Sequence, residues 1–233
     1  MTDKIFILTI VMFSFLNSVG FSQTIRDLIT TSESYEKIDD NLIITFPKDH
    51  GAHPNFKTEW WYLTANLIDA QNEALGIQWT LFRTALSSFN NNQNGWSNKQ
   101  VWMGHVAYTD KNSHLFDEKI SRGGVGQAGV TLSPFNAWID DWSLRSKNFK
   151  AFNLNAKTSD FSYDLNLSVT GPIVKHGKNG FSKKSTNSEA SAYYSFPFLS
   201  VNGWIKKGNK SKKVSGTAWL DREWSSQTLA ETQ

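Results

Sequence analysis

The segment of the sequence with the clearest chemical potential lies near its C-terminus and contains Trp219, Asp221 and Glu223. Side chains of a β-strand alternate between its two faces, so these three residues would share one face. In an apolar cavity a carboxyl group loses its hydration, which raises its pKa above the free value of about 3.9 and lets it donate a proton near neutral pH. A neighbouring indole ring can stabilise a cation. The segment predicts Asp221 as a proton donor beside Trp219.

Two other interpretations of this segment stay open. Asp221 and Glu223 could pair with Arg222, with lysines or with backbone amides at the end of a strand. Alternatively, they could act as the acid and base of a hydrolase, because residues two apart on one strand face lie roughly 7 Å apart.

A second polar segment contains His50 and His53, followed by Glu59. A His-x-x-His spacing occurs in metal sites, but zinc needs three or four ligands and the spacing alone matches many unrelated sequences. We therefore predict no metal, and we expect both histidines to hydrogen-bond the backbone of a turn that contains Gly51 and Pro54.

The strand that follows this turn must divide its rings between two environments. Glu59 and Trp61 would share one face, and Trp60 and Tyr62 the other, so one side packs in the core and the other lines a pocket.

His105 lies in an apolar strand, where a buried core histidine is the alternative to a binding role. Besides the catalytic candidates Asp221 and Glu223, the candidate substrate-binding residues are Trp219, Trp61, Glu59, Tyr62, His53, His105 and Tyr194.

The elements that must position these residues are strands. Residues 161–169 alternate strictly between apolar and polar side chains, which is typical of a half-buried strand. Further strands are predicted at 59–68, 75–83, 101–109, 115–120, 138–146, 149–156, 190–199, 202–206 and 214–223. Residues 123–129 are expected to form a glycine-rich turn. Many short strands with regular turns indicate an all-β, antiparallel sandwich or barrel.

The amino-acid composition excludes several classes of functional site. The chain has 233 residues with no Cys, which excludes disulfides, thiolate metal sites and cysteine nucleophiles. Its net charge of +3 is spread along the chain and gives little support to nucleic-acid binding. Ten Trp and sixteen Phe indicate a large apolar interior or a pocket lined with rings.

The first 22 residues predict a secretory signal. Lys4 precedes an apolar run over 5–16, and small residues follow near Gly20 and Ser22. The run is shorter than the roughly 20 apolar residues that a membrane-spanning helix needs. The alternative to a cleaved signal is that this segment is kept as a membrane anchor. We predict an exported protein, periplasmic or secreted, with residues 23–45 as a lead-in to one domain over 46–226.

At its two polar segments the chain resembles the carotenoid 1,2-hydratase family, also called hydroxyneurosporene synthase, whose first domain is an AttH-like lipocalin domain. The specific pieces are His50-Gly51, His53-Pro54, Glu59-Trp60-Trp61-Tyr62 and Trp219-Leu220-Asp221-Arg222-Glu223-Trp224. Weaker matches lie at 78–83, 105–107, 122–123, 141–142 and 192–195. Members without a carotenoid pathway are commonly described as secreted hydrolases.

The resemblance implies a lipocalin-like β-barrel followed by a second similar domain, so 227–233 would begin a linker to a missing domain. It also implies cofactor-free hydration of an isoprenoid double bond, with Asp221 matching the motif's acid and Trp219 the aromatic residue two positions before it. Hydratases have Tyr-His-Asp-His-Asn-Trp where this chain has 219–224.

These observations favour an enzyme that hydrates, or hydrolyses, a hydrophobic isoprenoid or lipid-like molecule without a cofactor. The alternative is a non-catalytic periplasmic carrier of an apolar ligand, because lipocalin-sized barrels hold one small ligand without chemistry. We predict a hydrophobic small-molecule partner, peripheral contact with a membrane, a second lipocalin-like domain and no nucleic acid.

Overall fold

Thirteen antiparallel strands make up most of the described chain. A computed structural model describes residues 35–88, 95–184 and 189–226, so the signal sequence, most of the lead-in and the linker predicted above lie outside the described residues. The strands are β1 (Thr58–Asp69), β2 (Ala74–Ala85), β3 (Gln100–Asp110), β4 (Ser113–Arg122), β5 (Ala128–Leu132), β6 (Phe135–Ile139), β7 (Trp142–Ser146), β8 (Ala151–Lys157), β9 (Phe161–Val169), β10 (Val174–Lys175), β11 (Phe181–Lys183), β12 (Ala190–Lys207) and β13 (Lys210–Ser225). Two short 3-10 helices span Lys48–His50 and Gly95–Ser97.

The strands form one continuous sheet that curls into a nearly closed barrel. Their order is β4-β3-β2-β1-β13-β12-β9-β8-β7-β6-β5, with β10 and β11 also paired to β12. All pairs that surround β1, β12 and β13 are antiparallel, and most neighbours are joined by short hairpins. The first strand therefore pairs with the last, which brings the two polar segments of the sequence side by side.

The interior of the barrel is filled by large side chains. Each strand alternates between buried and more exposed residues, as the period-two pattern predicts. The largest apolar side chains with almost no exposure are Trp61, Trp79, Trp142, Trp224, Tyr108, Tyr163 and Tyr194. These rings belong to the hydrophobic core of the barrel.

An all-β, antiparallel lipocalin-like barrel is confirmed, but several strand predictions are wrong in detail. The predicted strand 138–146 is a hairpin of β6 and β7, because Asp140 adopts a left-handed conformation that turns the chain. The predicted strands 190–199 and 202–206 are one strand with an irregularity between Phe196 and Leu199. Part of the predicted turn 123–129 belongs to β5, whose short length and glycine gave no strand signal.

Within residues 35–88, 95–184 and 189–226, no helix has the length and apolar character needed to span a bilayer.

Candidate functional site

The alternation of β1 and β13 divides the predicted site residues between the two sides of the barrel wall. On the inner side, or packed against it, lie Glu59, Trp61, His53 and Tyr194. On the outer side lie Tyr62, His105, Trp219, Asp221 and Glu223. Two separate clusters therefore replace the single site that the sequence predicted.

The inner cluster is built around the fully buried carboxylate of Glu59. Its two oxygens form ion pairs with the guanidinium groups of Arg83 and Arg222, which project from the neighbouring strands β2 and β13. Burial acts to raise the pKa of Glu59, but the charges of Arg83 and Arg222 outweigh it and hold the pKa well below its usual value. Both arginines are also almost completely buried.

The same arginines fasten the segment over residues 46–57, which we call the cap segment, to the end of the barrel where β1 begins. Arg83 donates to the backbone oxygens of His53 and Phe56, at 2.9 and 2.8 Å. Arg222 donates to the backbone oxygen of Gly51 at 2.6 Å, and the backbone N–H of His53 donates to Glu59 at 2.9 Å.

Stacked rings complete this attachment. The imidazole of His53 lies 3.9 Å from the ring of Trp224, centroid to centroid, and the guanidinium of Arg222 lies 3.7 Å from the ring of Trp61. A hydrogen bond of 3.3 Å joins His53 to Asp49. Burial acts to raise the pKa of Asp49, but the hydrogen bonds from His53 and from the Thr45 N–H outweigh it and lower the pKa.

His50 is buried in an aromatic pocket of the cap segment. Its ring stacks 4.0 Å from Phe149 and 4.6 Å from Phe46, and its Nδ1 is 2.6 Å from the Tyr194 hydroxyl. Burial, aided by the charge of Arg222, lowers the pKa of His50 to about 4, so the ring is neutral at pH 7.

The inner cluster is thus closed to solvent and holds the cap segment in place. Among the residues that the structure describes, no group of three or more His, Asp or Glu side chains is arranged to hold a metal ion. The expectation that both histidines hydrogen-bond the backbone of the turn does not describe their side chains: the His53 ring contacts Asp49 and Glu59, and the His50 ring contacts the Tyr194 hydroxyl.

The outer cluster is built around Asp221. The hydroxyl of Tyr193 donates to its Oδ1 at 2.9 Å, the indole N–H of Trp219 donates at 2.5 Å, and the hydroxyl of Ser195 donates to the same oxygen. The expectation that Asp221 faces an apolar cavity is wrong, because its strand turns this face outward and its neighbours are polar donors. Its Oδ2 has no hydrogen-bond partner in the described part of the chain and is available to a bound molecule.

A histidine that the sequence did not single out extends the outer cluster. The Nε2 of His176 lies 2.6 Å from the Ser195 hydroxyl, which also contacts Asp221. The His176 ring stacks on Tyr193 at 3.9 Å, and its backbone N–H donates to the Tyr193 carbonyl. One hydroxyl therefore links an imidazole to a carboxylate. Because His176 follows the two-residue strand β10, no periodic pattern marks it.

Aromatic side chains surround this hydrogen-bonded chain on the outer face. Tyr62 lies directly opposite Asp221 on β1, and Trp60 stacks on Phe82 at 5.6 Å with nearly parallel planes. Trp219 keeps 38% of its surface exposed. Burial and the Asp221 carboxylate raise the pKa of Tyr193 to about 12, so its hydroxyl stays protonated and donates.

Two other predicted residues have different surroundings. Glu223 is buried, with Lys184 at 2.7 Å and the Ser191 hydroxyl also in contact, so the predicted alternative of pairing with a lysine holds for this carboxylate. His105 is not a core residue. Its side chain is 53% exposed, with Glu118 at 3.8 Å, because it lies on the outward face of β3.

The curled antiparallel sheet with its filled interior defines a lipocalin-like barrel. The chain belongs to the family described as AttH-like, whose model matches residues 37–233. No curated protein sequence matches it.

Two solved structures have a similar fold. A protein of Nitrosomonas europaea described as an AttH is 34% identical, with a TM-score of 0.76, over 84% of this chain and 60% of that one. Kievitone hydratase from Nectria haematococca is 11% identical, with a TM-score of 0.57, over 85% of this chain and 57% of that one. The second likeness concerns the fold alone, and the chain spans about 60% of the length of the first.

Proposed function

We propose that the outer cluster is an acid–base site that adds water to a carbon–carbon double bond of a hydrophobic, isoprenoid or lipid-like molecule. The observation that carries this proposal is the chain of hydrogen bonds from Asp221 through Ser195 to His176. Two titratable groups joined by one hydroxyl can exchange a proton without passing it through solvent. Such a pair supplies both the acid and the base that hydration requires.

The proposed reaction runs in two steps. The reaction starts from the state in which the proton that His176 and Asp221 exchange through Ser195 is on the Asp221 carboxyl. That carboxyl gives its proton to one alkene carbon, and the π electrons form the new C–H bond. The neighbouring carbon becomes a cation, which the exposed face of the Trp219 ring stabilises. A water oxygen then bonds to that carbon, and the proton it loses passes to His176. His176 gives a proton to the Ser195 oxygen as the Ser195 hydroxyl proton moves to Asp221, which restores the starting state.

The surroundings of Asp221 suit an apolar substrate. Trp60, Phe82 and Tyr62 present rings on the outer face within two residues of the register position of Asp221. One protein of this fold is a hydratase. A shared fold does not assign an activity, so the proposal depends on the chain's own residues.

The test is turnover of acyclic isoprenoid alkenes, such as geraniol and squalene, in ¹⁸O-labelled water, with products identified by mass spectrometry. We expect the protein to form a labelled alcohol, and Asp221→Asn to reduce turnover by about 10²–10⁴-fold, the typical contribution of a general acid. The matched control is Asp164→Asn, which changes an exposed carboxyl on the outward face of β9. Full activity of Asp221→Asn, or no turnover of any alkene, would contradict the proposal.

The carrier function is less well supported. A lipocalin-like carrier needs space inside the barrel, whereas the interior here holds buried rings such as Trp61, Trp79 and Trp142. If the protein were a carrier, the apolar molecule that it binds would be recovered chemically unchanged from the same experiment.

We further propose that the protein is exported, on the strength of the apolar run over 5–16. A fusion of residues 1–22 to a reporter enzyme, assayed in the periplasmic and cytoplasmic fractions of bacteria, tests this.

A further inference from the structure

A row of amide side chains crosses the outer face of the sheet from β6 to β12, the strand that also carries Ser195 of the proposed acid–base site. Asn136 on β6 pairs in register with Arg145 on β7, which pairs with Asn153 on β8. Asn153 pairs with Asn166 on β9, and Asn166 with Asn202 on β12. Directly paired residues project from the same face of a sheet, about 5 Å apart. The five side chains, which we call the amide row, therefore form a polar line about 19 Å long.

The amide row borders a groove. β7 and β8 pair only between residues 143–145 and 153–155, and the chain separates beyond Ser146. The resulting depression has a volume of about 620 Å³. Its lining combines Phe135 and Phe152, which are themselves buried, with four members of the amide row and with Lys147 and Asn148.

Most hydrogen-bonding capacity of the amide row is unused within the described residues. Arg145 makes one side-chain hydrogen bond, from its Nε to Asn136 at 3.4 Å, and its two terminal nitrogens have no partner there. The side chains of Asn166 and Asn202 have no partner in that part of the chain either. Asn153 donates to Asp164 at 2.9 Å, which leaves its carbonyl oxygen available.

An exposed ring lies at one end of the row. Trp204 is two residues from Asn202 on β12 and pairs in register with Asp164. It keeps 54% of its surface exposed on the outward face of the sheet. An exposed Trp beside polar groups is a frequent element of binding surfaces.

We propose that the amide row and its groove bind a neutral saccharide. A carboxamide offers one acceptor and two donors, so it can bond two adjacent hydroxyl groups, as can the fork of an arginine. The apolar C–H face of a sugar ring can pack on an aromatic ring, here Trp204. A purely apolar ligand would leave these amides desolvated without partners, which costs free energy.

The experiment is titration of the full chain with three neutral glucose trisaccharides, linked α-1,4, β-1,4 or β-1,3, and with a glycan array that includes acidic sugars. Binding is followed by calorimetry and by tryptophan fluorescence. We expect saturable binding of at least one neutral glycan and a fluorescence change. Asn166→Ala and Arg145→Ala should each weaken binding at least tenfold, and Trp204→Ala should weaken binding and abolish the fluorescence change.

Asn66→Ala is the matched control, because Asn66 is an exposed, outward-facing asparagine on β1, which β13 separates from β12, and is not a member of the amide row. It should bind as the unmodified protein does. Circular dichroism and thermal unfolding of each variant identify any loss of folding, and a variant that does not fold is replaced by Asn202→Ser. The proposal is overturned if no glycan binds, if only acidic glycans bind and free sulfate competes, or if Asn66→Ala weakens binding as much as Asn166→Ala.

Discussion

At the scale of single residues, neighbouring positions of one strand point to opposite sides of the barrel wall. Arg222 points inward to the buried Glu59, whereas Asp221, one position before it, points outward to Tyr193 and Ser195. A buried carboxylate between two arginines is costly to leave unpaired, so the inner residues are tied to the attachment of the cap segment. The outer residues carry no such constraint and are open to a ligand.

His50 gives a pH-dependent test of the inner cluster. Its pKa is about 4 in the folded chain and near 6.5 when unfolded, so the unfolded state binds more protons between these values. Stability should therefore be complete above pH 6.5 and fall as the pH drops toward 4, by up to about 3 kcal/mol. The groups that face His50 are Arg222, Asp49 and Tyr194, and none of these three gains or loses a proton across most of that range.

The measurement is the free energy of urea unfolding at several pH values between 4.5 and 7, for the unmodified protein and for His50→Phe. Phe keeps a ring among Phe46 and Phe149 but removes the titration, so the dependence on pH should become much weaker. His114→Phe, at an exposed histidine on β4, should keep the original dependence. Identical pH profiles for the protein and His50→Phe would show that this histidine does not titrate as described.

The residue scale also explains why the sequence predicted the site only in part. Period-two alternation correctly placed Trp219, Asp221 and Glu223 on one face, but it does not say which face is inside. That choice depends on where β1 and β13 lie in the closed sheet, which is a property of contacts distant in sequence. His176 and Ser195 are brought to Asp221 by the pairing of β12 with β10 and β13, which has no local signal.

At the scale of elements, strands of nine to twelve residues were predictable, whereas very short strands were not and the longest strand, β12, was predicted as two. β1, β2, β3 and β9 each show sustained alternation of apolar and polar residues, and their predicted limits lie within two residues of the observed ones. β5, β10 and β11 have five residues or fewer, too few to establish a period. Their position depends on pairing to a neighbour rather than on their own sequence.

Packing between elements gives a second stability test, at Gly104 on β3. A methyl group at this position would lie 2.6 Å from Ile139 on β6 and 3.2 Å from Trp142 on β7. The two sides of the barrel meet here although β4 and β5 are not paired. We expect Gly104→Ala to lower the free energy of unfolding by about 1–3 kcal/mol through overpacking.

Urea denaturation of Gly104→Ala and of Gly76→Ala compares this contact with an open position. At Gly76 the nearest atom to an added methyl lies 3.8 Å away, on Thr109, which is ordinary contact. Gly76→Ala should therefore change stability much less. Equal effects of the two substitutions would mean that the walls do not meet at Gly104.

At the scale of the whole molecule, large side chains occupy the interior of the barrel, and both proposed sites lie on its outer surface. The interior that a lipocalin would offer to a ligand contains Trp61, Trp79 and Trp142. The outer face carries both the Asp221 cluster and the amide row, and β12 contributes residues to each. The high aromatic content predicted either a large apolar interior or a pocket lined with rings. The buried rings lie mainly in the interior.

The most direct test of the acid–base site is a double-variant cycle on alkene hydration. Turnover is measured for the protein, for Asp221→Asn, for His176→Gln and for the double variant, all shown to be folded. Groups that act as one unit are strongly non-additive, so we predict that the double variant loses about as much activity as either single variant. Losses that multiply in the double variant, or a single variant with full activity, would contradict a proton exchange through Ser195.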